Sequence, residues 1–179
     1  RQRQMCIRDR HLLANTTDKK ERAYLINHFL EQFRGTVYRQ TMFAEFELWM
    51  NEHAEKGETL TADMMCDAYY ELNKKYFGGG MTVDRLISVE WARIPHFFYN
   101  FYVFQYATGF SAAVAIANRI LTEGKPAVED YIKFLSAGSS MDPISVLKIA
   151  GVDMTTAQPV NDALKLFNEL IDEMAALAE

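Results

Sequence analysis

The run Arg93-Ile-Pro-His-Phe-Phe-Tyr-Asn-Phe-Tyr-Val-Phe-Gln-Tyr106, followed by Ala-Thr-Gly-Phe-Ser-Ala-Ala113, constrains this chain more than any other segment. A stretch so aromatic must be kept largely out of water by whatever fold contains it. Pro95 disfavours helical geometry at Ile94 and suits the first turn of a new helix. The run therefore predicts a helix from Pro95 to about Leu121. On such a helix the polar tips of His96, Tyr99, Tyr102 and Tyr106 recur every three to four residues and share one side. A helix that is oily nearly all round is expected to be buried, and a buried His or Tyr tip needs a hydrogen-bond partner. The stripe is either a satisfied core network or the wall of a site that holds a polar ligand. The small residues of Ala107-Thr-Gly-Phe-Ser-Ala-Ala-Val-Ala-Ile-Ala117 would let a neighbouring helix approach closely.

The remainder reads as helices punctuated by caps and breakers. Asp18, with Glu21 at capping-box spacing, opens a helix from Lys19 to about Gly57. Its apolar positions Leu25, Phe29, Phe33, Val37, Met42 and Phe43 recur at near-helical spacing, and Gly35 is a candidate kink. Thr61 and Asp63 open a second helix to about Tyr76. Gly78-Gly-Gly80 is the clearest breaker, and it lacks the Lys-Ser/Thr of a phosphate loop. Met81 to Trp91 reads as extended or irregular, with a short β-hairpin near Gly78 to Val89 as the alternative. Gly124-Lys-Pro126 leads into a helix from Ala127 to Ser136, Asp142-Pro143 into a short one to Ala150 with Gly151 as its stop, and Pro159 into a final amphipathic helix. The last carries Leu164, Phe167, Leu170, Ile171 and Met174 on one face. The fold class expected is all-α, a multi-helix array without repeats or a dividing linker.

The chain of 179 residues is long enough for one domain with a substantial core. Its net charge of −5 argues against a nucleic-acid surface. No apolar run is long enough to span a membrane. Two cysteines, Cys6 and Cys66, form no disulfide framework and no paired metal knuckle, which fits a reducing cytoplasm. Residues 1–10, Arg-Gln-Arg-Gln-Met-Cys-Ile-Arg-Asp-Arg, have no helical apolar face and no signal-peptide core. They are expected to be a non-native leader, disordered, ahead of a helical domain over residues 11–179.

Other polar groups have ordinary readings. Arg34 and Arg39 with Glu45 and Glu47 suggest a structural ion-pair network, since residues two apart on a helix diverge and cannot act as a carboxylate pair. Cys66 lacks a basic neighbour and reads as an inert thiol, and Met64-Met65 as core filler. The four histidines are His11, His28, His53 and His96; none is followed by Glu and no two are four apart, so the H-E-x-x-H zinc helix is absent.

Two blocks carry a family resemblance. The run I-P-H-F-F-Y-N-F-Y-V-F-Q-Y-A-T-G and the upstream Asn27-His-Phe-Leu-Glu-Gln-Phe-Arg-Gly-Thr-Val-Tyr-Arg-Gln-Thr-Met-Phe-Ala-Glu-Phe-Glu47 resemble, in that order, the thimet-oligopeptidase-like zinc metallopeptidases (peptidase family M3), specifically their oligoendopeptidase F branch. The likeness extends from about Leu12 to the chain end. It implies the C-terminal part of a mostly helical cytoplasmic peptidase with a deep cleft. The zinc ligands would lie in an absent N-terminal part, with none in this chain, so the fragment alone is expected to be inactive. It further implies an oligopeptide substrate, with no nucleic-acid or membrane partner. His96 and Tyr106 would stabilise the transition state, and Tyr99 and Tyr102 would bind substrate. From the residues alone two other readings remain open. One is a non-enzymatic helical interaction module with an aromatic core helix, and the other is a ligand- or haem-binding bundle with His96 as axial ligand.

Overall fold

The computed structural model describes residues 2–178, with side chains from residue 6 to residue 177. Among the described residues every regular element is helical. The long helices are α1 (Gln2–Asn15), α2 (Lys19–Phe33), α3 (Arg39–Glu55), α4 (Ala62–Phe77), α5 (Phe104–Glu123), α6 (Lys125–Ala137), α7 (Pro143–Ile149) and α8 (Gln158–Ala178). A π-helical turn, Arg34–Tyr38, separates α2 from α3 at the predicted Gly35 kink, and 3-10 segments cover Arg85–Arg93 and Pro95–Phe98. No helix of the described residues is long and apolar enough to cross a membrane.

The local signals act as their chemistry dictates. The Asp18 carboxylate accepts from the amides of Lys20 and Glu21, the Thr61 hydroxyl from Met64, and Asp142 from Ile144 and Ser145. Gly57, Gly78 and Gly151 take positive φ just past their helices.

The backbone folds into two compact units. The first comprises residues 1–34 and 108–179. Here α1 and α8 both pack on α2, and α6 packs on α7. Phe33 is fully buried, with ring centroids 4.9 Å from Phe110 and 5.1 Å from Phe167. A second apolar cluster joins Ala112 and Ile116 of α5 to Phe134, Val146, Ala150 and Val152. The small residues Ala112, Ala113 and Ala117 are buried, the role their size suits.

Where the sequence suggests a disordered leader, the chain is helical over Gln2–Asn15, and Arg1 lies outside the described residues. Cys6 and Leu13, seven positions apart, share a buried face, and Gln32 donates to Asp9 at 3.1 Å. Tertiary packing thus supplies the order that the local sequence lacks. Burial pushes the Cys6 thiol up to about 12.

The second unit, residues 35–107, holds α3, α4, both 3-10 segments and residues 104–107 of α5. Its core is Met42, Phe43, Phe46, Tyr69, Ile94 and Val103. The Tyr69 hydroxyl donates to Glu90 at 2.7 Å, and Arg39 donates to the other Glu90 oxygen at 2.6 Å. Burial alone would raise the Glu90 carboxyl, but the hydrogen bonds from Tyr69 and Arg39, with the nearby guanidinium charge, outweigh it and hold the group below its usual range.

Candidate substrate-facing ring cluster

The long helix expected from Pro95 to Leu121 does not form as one piece. Pro95–Phe98 is a short 3-10 turn, α5 starts only at Phe104, and the chain between them is irregular. Asn100 has φ 50° and Phe101 φ 57°, both left-handed. Two left-handed residues in succession end a right-handed helix, and Asn is among the few side chains that tolerate this. The Phe101 amide donates to Glu47 Oε1 at 2.7 Å instead of to a helical carbonyl.

This break brings the polar tips together. Ten residues of continuous helix would put His96 and Tyr106 about 15 Å apart along the axis. Their ring centroids are instead 6.1 Å apart, in an edge-on arrangement. His96 stacks on Tyr102 at 5.9 Å and meets Tyr99 edge-on at 5.8 Å. Tyr102 in turn lies 6.0 Å from Tyr99 and 5.5 Å from Tyr106. All four side chains singled out in the sequence therefore converge, but through a loop and not through a helical stripe.

Burial also departs from expectation. Ile94 and Val103 anchor the segment in the core, yet Phe98 is 85% exposed, Tyr99 58% and Tyr102 37%. His96 and Tyr106 are half-buried. A plain aromatic core helix, the premise of the interaction-module reading, is not what the chain forms. The Tyr106 hydroxyl sits 3.5 Å from His96 Nε2, the outer limit of a hydrogen bond. The neighbouring Tyr102 hydroxyl, and then burial, raise the Tyr106 phenol above its ordinary value. Tyr106 therefore keeps its proton at neutral pH and remains a hydrogen-bond donor.

The other polar candidates take structural partners. Arg34 pairs with Glu31 at 2.7 Å, and Arg39 with Glu90. Glu45 accepts from Lys75 and Tyr76, while Glu47, two residues on, turns inward and is buried. Glu47 is the contributor that sequence reasoning assigned to a generic ion-pair network; the one local hint of its partner is Asn100, a residue suited to left-handed backbone inside an otherwise aromatic run. Among the described residues, no group of three His, Cys, Asp or Glu could hold a metal ion. The residues present thus do not fit a metal site of their own.

Among the described residues every regular element is helical, and the chain displays a cluster of one imidazole and three phenols, groups able to donate hydrogen bonds. The family profile of peptidase family M3 matches residues 3–166, and the chain belongs to that family. It is 59% identical over 167 residues to oligopeptidase PepF of Bacillus subtilis, covering 93% of this chain and 25% of that protein. It is 46% identical to the chromosomal oligoendopeptidase F of Lactococcus lactis subsp. cremoris, over 94% of this chain and 28% of that one. The crystal structure of oligoendopeptidase-F from Enterococcus faecium superposes with a TM-score of 0.91 at 48% identity, over 95% of this chain and 33% of that one. The chain thus spans about a quarter of the length of the curated relatives it matches.

Proposed function

We propose that this chain is the C-terminal part of a zinc-dependent oligopeptide endopeptidase, in which it forms the wall that holds substrate and stabilises the oxyanion. The observation that carries the reading is the convergence of exposed Tyr99 and Tyr102 with half-buried His96 and Tyr106. His96 and Tyr106 donate to the oxygen that becomes negative as the scissile carbonyl turns tetrahedral. Donors aimed at charge that appears only in the transition state raise turnover without tightening ground-state binding. Tyr99 and Tyr102, the more exposed pair, contact the peptide on its way in. The Tyr106 hydroxyl lies at the outer limit of hydrogen bonding to His96 and also bonds Tyr102, so an incoming oxygen competes with Tyr102 for it.

The metal belongs to the part of the enzyme outside this chain. The chain alone is inactive on this reading. Its two cysteines are both free thiols, in keeping with a cytoplasmic enzyme.

The test is peptidolysis by the intact peptidase on a quenched-fluorescent oligopeptide. His96→Ala and Tyr106→Phe are each expected to lower kcat by about 10²–10³, the usual effect of removing one such donor. Unchanged turnover in both folded variants would remove the wall reading.

A further inference from the structure

We infer that Glu47 is a positioning residue for the ring cluster: its carboxylate, buried on α3, holds the left-handed turn at Asn100 and Phe101 that brings Tyr102 and Tyr106 round to His96. The inference rests on the wall reading proposed above.

Glu47 is 1% exposed and sits on a helix whose other buried residues, Met42, Phe43 and Phe46, are apolar. A carboxyl in such surroundings is costly unless something there needs it, and a Leu or Met would fill the same volume without that cost. Its side-chain partner is the Phe101 amide, 54 residues away, at 2.7 Å. Asn51 donates to the backbone oxygen of Glu47 and leaves the carboxylate to that single task.

The turn it grips cannot hold itself. Asn100 is exposed and Phe101 keeps 39% of its surface in water, so burial of their own side chains holds them only in part. Each sits at positive φ, which for a residue with a Cβ costs about 1–2 kcal/mol. The competing state is the right-handed helix that the sequence itself suggests, running from Pro95 into α5. In that helix the rings would form a stripe and His96 would lose Tyr106. The Glu47 acceptor is what tips the choice, because a hydrogen bond to a charged or strongly polar partner is of the same size as the backbone penalty.

The experiment compares Glu47→Ala and Glu47→Gln in the intact peptidase, reading kcat and KM separately, with a crystal structure of each variant. Gln keeps a carbonyl oxygen where the Phe101 amide needs one; Ala does not. Glu47→Ala is expected to lengthen the His96–Tyr106 separation and to lower kcat by about tenfold to a hundredfold with KM within about threefold, as a misplaced donor does. Glu47→Gln is expected to match wild type in both readouts. Asn100→Gly added to Glu47→Ala should recover the turn, since glycine adopts positive φ without strain. If Glu47→Ala fails to fold, Glu47→Asp, which withdraws the acceptor by one methylene, takes its place with the same expectation. Equal effects of Ala and Gln, or an unmoved His96–Tyr106 pair in the Ala variant, would overturn the inference. The structural readout stands apart from turnover: if His96→Ala proves silent in peptidolysis while Glu47→Ala still displaces His96, the wall reading fails and the positioning one survives.

Discussion

The Phe101 amide and the Glu47 carboxylate, 54 residues apart in the chain, meet in a hydrogen bond of 2.7 Å. Through it a buried carboxylate of α3 reaches the backbone of an exposed aromatic loop.

That buried carboxyl makes stability depend on pH in a definite direction. Burial raises Glu47 above its ordinary 4.5, against which the Phe101 hydrogen bond acts only in part. A carboxyl whose folded value exceeds its unfolded value binds its proton more tightly in the native state. Its contribution is fully present below the ordinary value and is lost as pH rises through the folded one. Glu47→Gln has no charge to bury. Its stability advantage over wild type is expected above that window and should close as pH falls through it, in urea unfolding at a series of pH values. A pH-independent difference would contradict the burial account.

Glu90 behaves in the opposite sense. Although burial pushes it up, Tyr69 and Arg39 hold its carboxyl below 4.5, so its contribution is present above the ordinary value and is lost as pH falls through the folded one. Tyr69→Phe deletes the buried hydroxyl that donates to it. The expected cost is about 2 kcal/mol at neutral pH by denaturant unfolding, and a smaller one in acid, where Glu90 becomes neutral.

Gly151 is favoured by its backbone, and a Cβ there would also displace the end of a side chain. Its φ is +76°, and a Cβ there would lie 1.6 Å from Arg119 Nη1, which donates to the Ala150 carbonyl. Gly151→Ala should destabilise by about 2 kcal/mol or more, the sum of left-handed strain and a displaced guanidinium. In an Arg119→Ala background the clash disappears and only the backbone part, about 1–2 kcal/mol, should remain. Equal costs in the two backgrounds would mean that Arg119 moves aside freely.

The sequence is legible where structure is set by neighbours and opaque where it is set at a distance. Asp18, Thr61 and Asp142 mark helix starts, and Gly57, Gly78 and Gly151 mark stops, because a cap is satisfied within a few residues. Gly35 marks the change from α2 to α3, which takes the form of a π-helical turn. The order of α1 is invisible locally, since it depends on Cys6, Asp9 and Leu13 meeting the rest of their unit. The break after Phe98 is hidden for the same reason. Helical periodicity runs unbroken through Asn100, and the carboxylate that ends it belongs to α3. His96, Tyr99, Tyr102 and Tyr106 were therefore recognisable as a group while the geometry that unites them was not: the spacing suggests a helical face, and the fold makes a loop cluster.

The most direct test of the central claim compares two affinities in the intact peptidase, wild type against His96→Ala. One is KM for an oligopeptide under conditions where it reports binding; the other is Kd for a peptide analogue with a tetrahedral, anionic centre in place of the scissile carbonyl. A wall that acts on the transition state predicts that His96→Ala weakens the analogue by about a hundredfold while KM shifts by no more than about threefold. Equal weakening of both ligands, or of neither, would contradict it.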